Sequence, residues 1–253
     1  PPLLNLGLQG IVWTYVAKNL NLQLLSKESW ITWIVAFLLY DFCYYWMHRM
    51  SHEIKFLWAS HVVHHQGEEF NLSTALRQTS TGWLWKFIFY IPLFAIGVPG
   101  EVFFTVAAMN LLYQFWVHTQ SIKKMPLWFE FIFNTPSHHR VHHAKNPRYL
   151  DSNFAGILII WDRVFKTFAE EDASEPVDYG VVTPIASYNP AVVAFKEMYN
   201  IFRDCFQPNI KFRQRLAYIF AAPGYSHDGS RKSSKDLKTE FMKSKQFESK
   251  ASN

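Results

Sequence analysis

Cysteine is almost missing from this chain: two among 253 residues, Cys43 and Cys205, far apart and in no metal or redox spacing. That excludes a disulfide scaffold, an iron–sulfur cluster and a cysteine-built zinc site, and it reads as two reduced core thiols in a cytosol-facing protein. Glycine is scarce at 10 residues, which excludes a collagen-like class, and no internal repeat is visible. Charged residues are only 18% against 49% hydrophobic, too apolar a balance for disorder. No signal-peptide pattern opens the chain, and Pro1 stands where Met would, as expected of a fragment. The length suits one good-sized domain or two small ones. The net charge of +5 is not spread evenly: beyond residue 228, seven Lys and Arg face only Asp236, Glu240 and Glu248, so the tail holds +4 of it. Basic charge confined to a terminal tail argues against a nucleic-acid partner.

What the chain has in excess is aromatic side chains, at 18%, and eleven histidines, ten of them between His48 and His143. Trp30 to Met47 carries a single charge, Asp41, and is the best candidate for a membrane-crossing helix. Phe87 to Val98, then Pro99-Gly100, then Val102 to Val117 reads as an apolar helical hairpin. Trp83, Trp85, Trp116 and Trp128 are placed as interfacial anchors. A hairpin returns the chain to the side it left, so His48 to His65, His118 and His138 to His143 are expected to meet on one membrane face. A soluble helical core of buried segments is the competing reading. Farther on, Asn153 to Phe168 is expected as a buried helix, and Asn189-Pro190 starts a helix whose Val192, Phe195, Tyr199, Phe202 and Phe206 form one apolar stripe, an interfacial or a core-packing helix. The expected fold is all-α, an integral-membrane helical bundle. Residues 1–29 form a flanking segment cut short, 30–222 the catalytic domain, and 223–253 a basic, disordered tail.

Three histidine patterns carry the chemistry: His48-x-x-x-His52, His61-x-x-His64-His65, and His139-x-x-His142-His143 preceded by His138. On a helix, residues three and four apart share a face, so each pattern converges like a chelating arm. Any one of these histidines alone would be a solvated or hydrogen-bonded side chain. The set is different, because clustered imidazoles repel when protonated and are costly when buried without partners. Metal removes both problems, and eight or more imidazoles exceed what one ion accepts, so two ions are expected. Asn110, Gln114 and His118 step by four along an apolar segment, which brings His118 into the ligand set. Asp41, Tyr45, His48 and His52 likewise share a stripe, making Asp41 a candidate acceptor that orients a ligand imidazole. Imidazole suits Zn, Cu, Fe and Ni, and oxidative chemistry on a lipid beside an aromatic cavity favours iron.

These motifs resemble the fatty acid hydroxylase superfamily of integral-membrane non-haem di-iron enzymes, which includes sterol methyl oxidases, sterol desaturases and carotene hydroxylases. The strings DFCYYWMHRMSHE (Asp41 to Glu53), HHQGEEFNLSTALRQ (His64 to Gln78), LLYQFWVHT (Leu111 to Thr119), FNTPSHHRVHH (Phe133 to His143) and GILIIWDRVFKTFAE (Gly156 to Glu170) are similar to the ether-lipid branch, the alkylglycerol monooxygenases. The likeness runs from about Trp30 to about Phe168, with a weaker continuation to Pro223-Gly224. It implies a di-iron centre at the endoplasmic reticulum membrane, facing the cytosol. Tetrahydrobiopterin would supply the electrons, dioxygen one oxygen atom, and an alkylglycerol among the membrane lipids the carbon. Hydroxylation beside the ether oxygen gives a hemiacetal that falls apart to fatty aldehyde and glycerol. In that branch a glutamate following the first motif is needed for activity, and Glu53 matches it; an exposed cytosolic carboxylate is the competing reading. Asn71, Thr74, Arg77 and Gln78 have the donors for a glycerol or pterin head group, or else cap a helix. Two other functions share the motifs: a sterol or fatty-acid hydroxylase or desaturase fed by cytochrome b5, and an inactive metal-binding membrane scaffold.

Overall fold

The computed structural model describes residues 2–79 and 81–251, and the described residues form helices and connecting loops with no strand, as expected of an all-α chain. In order these are α1 (Pro2–Asn19), α2 (Trp30–Glu53), α3 (Lys55–His65), α4 (Leu72–Leu76), two 3₁₀ turns at Gly82–Leu84 and Lys86–Tyr90, α5 (Ile91–Ile96), α6 (Gly100–Trp116), α7 (Leu127–Ile132), α8 (Pro136–His142), α9 (Ile160–Val164), α10 (Pro190–Cys205), α11 (Phe212–Phe220) and α12 (Ser234–Ala251). Isolated bridges pair Phe133 with Leu158 and Ala144 with Tyr179.

One end of the molecule is apolar. The expected hairpin forms, with the 3₁₀ turn and α5 as a short first arm and α6 as the second. Its corner is Gly97 at φ 101°, a left-handed position that glycine adopts without strain, closed by Val98 N–H donating to Leu93 O at 2.9 Å. The corner meets the loop between α1 and α2, where Leu22 N–H donates to Ala95 O at 2.8 Å and Lys27 pairs with Glu101 at 3.2 Å. Val16 of α1, Ala36 and Tyr40 of α2, Leu93 and Phe94 of α5, and Val102, Phe103 and Val106 of α6 share one buried cluster. Around it Trp30, Ile31, Ile34 and Leu38 of α2 and Phe104, Leu111 and Leu112 of α6 are exposed. α2 is the one described helix long and apolar enough to cross a membrane. Trp128 is exposed, but Trp85 is buried in the core and is no anchor.

α2 and α3 are separated by a single extended residue, Ile54 at φ −114° and ψ 119°, which folds α3 back beside the last turns of α2. That reversal places the second histidine motif against the first.

Two expectations change, and a third resolves to the interfacial alternative. The run Asn153 to Phe168 is helical only over α9; its first part is a loop threaded through the interior, with Phe154, Ala155 and Ile159 buried. Buried N–H groups in such a loop need acceptors, and two carboxylates supply them. Asp162 accepts from Phe154 N and Ala155 N, both at 2.8 Å, and Asp41 accepts from Ile157 N at 2.8 Å, Leu158 N at 3.0 Å and the Trp161 indole at 3.0 Å. Gly156 is required beneath them, since a Cβ there would lie 2.6 Å from Asn110 Nδ2 and 2.8 Å from Asp41 Oδ1. The stripe on α10 points outward, while Ile201 and Cys205 on the other face pack beside Ala59 and Tyr218. Asn189 caps α10 by accepting from Ala191 N at 3.0 Å. The tail is not a disordered end: α12 forms, and Lys238 Nζ donates to Ser152 Oγ at 3.0 Å.

Replacing Asp41 by Ala would strand the Ile157 and Leu158 N–H groups in the interior, a loss on the order of 3 kcal/mol. Thermal unfolding of the detergent-purified protein should show the midpoint lowered by roughly 5–10 °C, and an unchanged midpoint would refute this role.

Candidate metal centre

Two groups of imidazoles converge at the polar end. His48 and His52 of α2, His61 and His65 of α3 and His142 of α8 form the first; His64, His118, His139 and His143 form the second. Within each group one nitrogen per residue lies within 4.8 Å of all the others. The doublet motif explains the division. In His61-x-x-His64-His65 the i and i+4 residues serve the first group, while His64, one step round the helix from His65, serves the second. In His139-x-x-His142-His143 the roles invert: His139 and His143 join the second group and His142 the first. Neighbouring side chains on a helix diverge by about 100°, so a His-His doublet reaches both groups at once.

The nitrogens facing inward are Nε2. His48 lies 3.0 Å from His61, His61 3.1 Å from His65, His65 3.1 Å from His142, His118 3.3 Å from His64 and 2.8 Å from His139, and His139 3.2 Å from His143. Backbone carbonyls hold the other side of four rings: Nδ1–H of His48 donates to Phe154 O at 2.8 Å, of His142 to Ser152 O at 3.0 Å, of His64 to Arg77 O at 3.0 Å and of His118 to Gln114 O at 2.6 Å. A carbonyl can only accept, so each of these rings carries its proton on Nδ1 and presents a bare lone pair at Nε2. His64 and His118 therefore face one another with two lone pairs and no proton between them. A cation resolves that contact. His52 Nε2 is buried with no partner, a further orphan in the first group.

Electrostatics agree with a metal-ready, unprotonated cluster. Burial pushes His64 down to about 3 and His118 to about 4, and it holds His61, His65, His139, His142 and His143 well below the usual imidazole range, with neighbouring histidines adding to the effect.

Three expected catalytic or metal-ligand residues stand elsewhere. His138 joins neither group; its ring lies against Phe168, with Nε2 3.7 Å from Glu130 Oε2. Asp41 orients no imidazole: its carboxylate takes the loop N–H groups described above and Asn110 Nδ2 at 3.2 Å. The orienting acceptors are instead backbone carbonyls, two of them from the loop at 151–154, where Asp151 and Asn153 hold φ of 50° and 58°. Aspartate and asparagine tolerate that left-handed region better than most residues, and the string Asp151-Ser152-Asn153 was the available sign. Glu53 is half-exposed and paired with Arg49 Nε at 2.8 Å, outside both groups. Asn71 and Thr74 cap α4, and Gln78 donates to Ala75 O at 2.8 Å, which leaves Arg77 for the carbonyl that holds His64.

Comparison with known proteins places this geometry in context. The fatty acid hydroxylase family pattern matches residues 33–167. The chain is 45% identical over 212 residues to the alkylglycerol monooxygenase of Homo sapiens, covering 83% of this chain and 46% of that protein. It is 44% identical over 220 residues to the alkylglycerol monooxygenase of Xenopus tropicalis, covering 87% and 48%. It is 28% identical over 155 residues to ornithine lipid hydroxylase OlsE of Rhizobium tropici, covering 60% and 46%. The chain spans about half the length of the curated relatives it matches. No solved structure matches it.

His118 and His138, both outside the three motifs, should respond differently to replacement by Gln. In purified, metal-loaded protein His118→Gln is expected to lose one ion per chain, and His138→Gln to keep the wild-type stoichiometry by elemental analysis. The reverse pattern would contradict the grouping.

Proposed function

The chain belongs to the fatty acid hydroxylase family, and from that premise we propose that it acts as a membrane-bound di-iron monooxygenase on alkylglycerols, with tetrahydrobiopterin as reductant. The alkyl carbon beside the ether oxygen is hydroxylated, and the product separates into fatty aldehyde and a glycerol derivative. The balance is one C–H bond, one dioxygen and one tetrahydropterin giving one C–OH, one water and one dihydropterin, so two electrons and two protons leave the reductant. The enzyme sits in the endoplasmic reticulum membrane with its histidines toward the cytosol. The names of the relatives supply the substrate class, and the paired lone pairs of His64 and His118 are the observation that carries the metal.

The donor set fits two ions. Five imidazoles would hold one and four the other, with His61, His65 and His142 beside His64, His139 and His143 on shared helices. No cysteine stands in either group, which suits iron, and bound iron would supply dioxygen activation. The protein's part is to keep the ligands unprotonated and aimed. Carbonyls of Gln114, Ser152 and Phe154 hold the rings by Nδ1, and the loop that carries two of them is itself tied by Asp41 and Asp162. Phe70 stacks on His118 with ring centroids 5.6 Å apart and Phe154 lies 5.2 Å from His52, so an apolar ring covers one side of each group. The exposed apolar faces of α2 and α6 are the surface a bilayer would cover, leaving the histidines at the polar end.

Membranes containing the protein, supplied with an alkylglycerol and dioxygen, should release fatty aldehyde only when tetrahydrobiopterin is present. Equal turnover with a cytochrome b5 system and no pterin would transfer the chain to the other hydroxylase reading.

A further inference from the structure

A cavity of about 210 Å³ opens beside the first histidine group. Its inner wall carries the rings of His52, His65 and His142. α2 contributes only His52, from its last turn; the rest of the wall comes from α3, α10 and the segments after residues 144 and 223. The cavity is therefore reached from the polar end, opposite the apolar corner at Gly97.

The polar groups inside are unequal. Lys55 and Arg231 are both spent on the fully buried Asp204, at 3.3 and 2.7 Å, and Lys232 pairs with Glu240 at 2.8 Å. Glu197 has no ion pair among the described residues; it accepts one hydrogen bond, from Asn200 Nδ2 at 3.0 Å. Trp58 lines the same cavity, with its ring centroid 5.1 Å from that of His52 and 5.6 Å from that of His65. An indole to stack on, a carboxylate to accept from an N–H edge and an adjacent amide together suit a flat heterocycle bearing N–H donors. A ring stacked on Trp58 would lie one side chain away from two of the histidines.

We propose that this cavity docks the two-electron reductant, a planar heterocycle of the reduced-pterin class, stacked on Trp58 with its N–H edge on Glu197 and Asn200. The assignment rests on the pterin-dependent reading above and locates its electron donor beside the first metal group. Trp58 and Glu197 are positioning residues for that donor.

The test is binding of 7,8-dihydrobiopterin, measured by equilibrium dialysis on the full chain, metal-loaded and in nanodiscs, with metal content checked for every variant. Wild type should bind saturably. Glu197→Gln should bind at least tenfold more weakly, and Val182→Trp, which fills the cavity from a different wall, should abolish binding; both should keep wild-type metal content. Wild-type affinity in both variants would overturn the location while leaving pterin use standing. No saturable binding by wild type would overturn the pterin reading itself. Competitive displacement of the probe by the soluble ether lipid 1-O-hexylglycerol would assign the cavity to the lipid head group and overturn the proposal.

Discussion

The structure depends on one constraint: nine imidazoles are buried side by side. Burial disfavours the charged forms of His61, His64, His65, His118, His139, His142 and His143, and pinning Nδ1–H of His48, His64, His118 and His142 on carbonyls turns their Nε2 lone pairs inward. Apolar packing alone would not hold such an arrangement, because lone pair faces lone pair at His64 and His118. Cations at the two groups would turn that repulsion into attraction, and metal binding would then be coupled to folding of the polar end.

Much of the remaining architecture serves that event. The break at Ile54 returns α3 to α2, and the hairpin brings His118 back to the same end. The loop at 151–159 crosses the interior, where backbone groups are costly, and it is tolerated because Asp41 and Asp162 take four of its N–H groups. Those carboxylates lie behind the carbonyls that hold His48 and His142. The chain of support runs from acidic side chain to backbone and from backbone to imidazole, and it fixes the spacing of the rings.

The two imidazole groups are legible in the sequence because helical periodicity and the histidine doublets are local. Steps of three and four place residues on a face whatever the rest of the chain does, and the hairpin logic for His118 needed only a turn at Pro99-Gly100. Asp41 misled because its step of seven to His48 suggests one face, whereas the carboxylate is drawn to a loop 116 residues away. His138 misled for the opposite reason: it sits in the richest histidine string, but the first turn of α8 aims it at Glu130 and Phe168. The carbonyls of Ser152 and Phe154 were illegible, since every residue has a carbonyl and only tertiary structure selects which ones matter. The tail looked solvated because its composition is polar, yet Arg231 and Lys238 find acceptors on distant segments.

X-ray absorption at the iron edge of the loaded protein addresses the central claim most directly. The account predicts a first shell of nitrogen and oxygen with the multiple-scattering signature of several imidazoles per iron and no sulfur. A shell dominated by carboxylate oxygen, with the imidazole signature of one ring per iron or fewer, would contradict it.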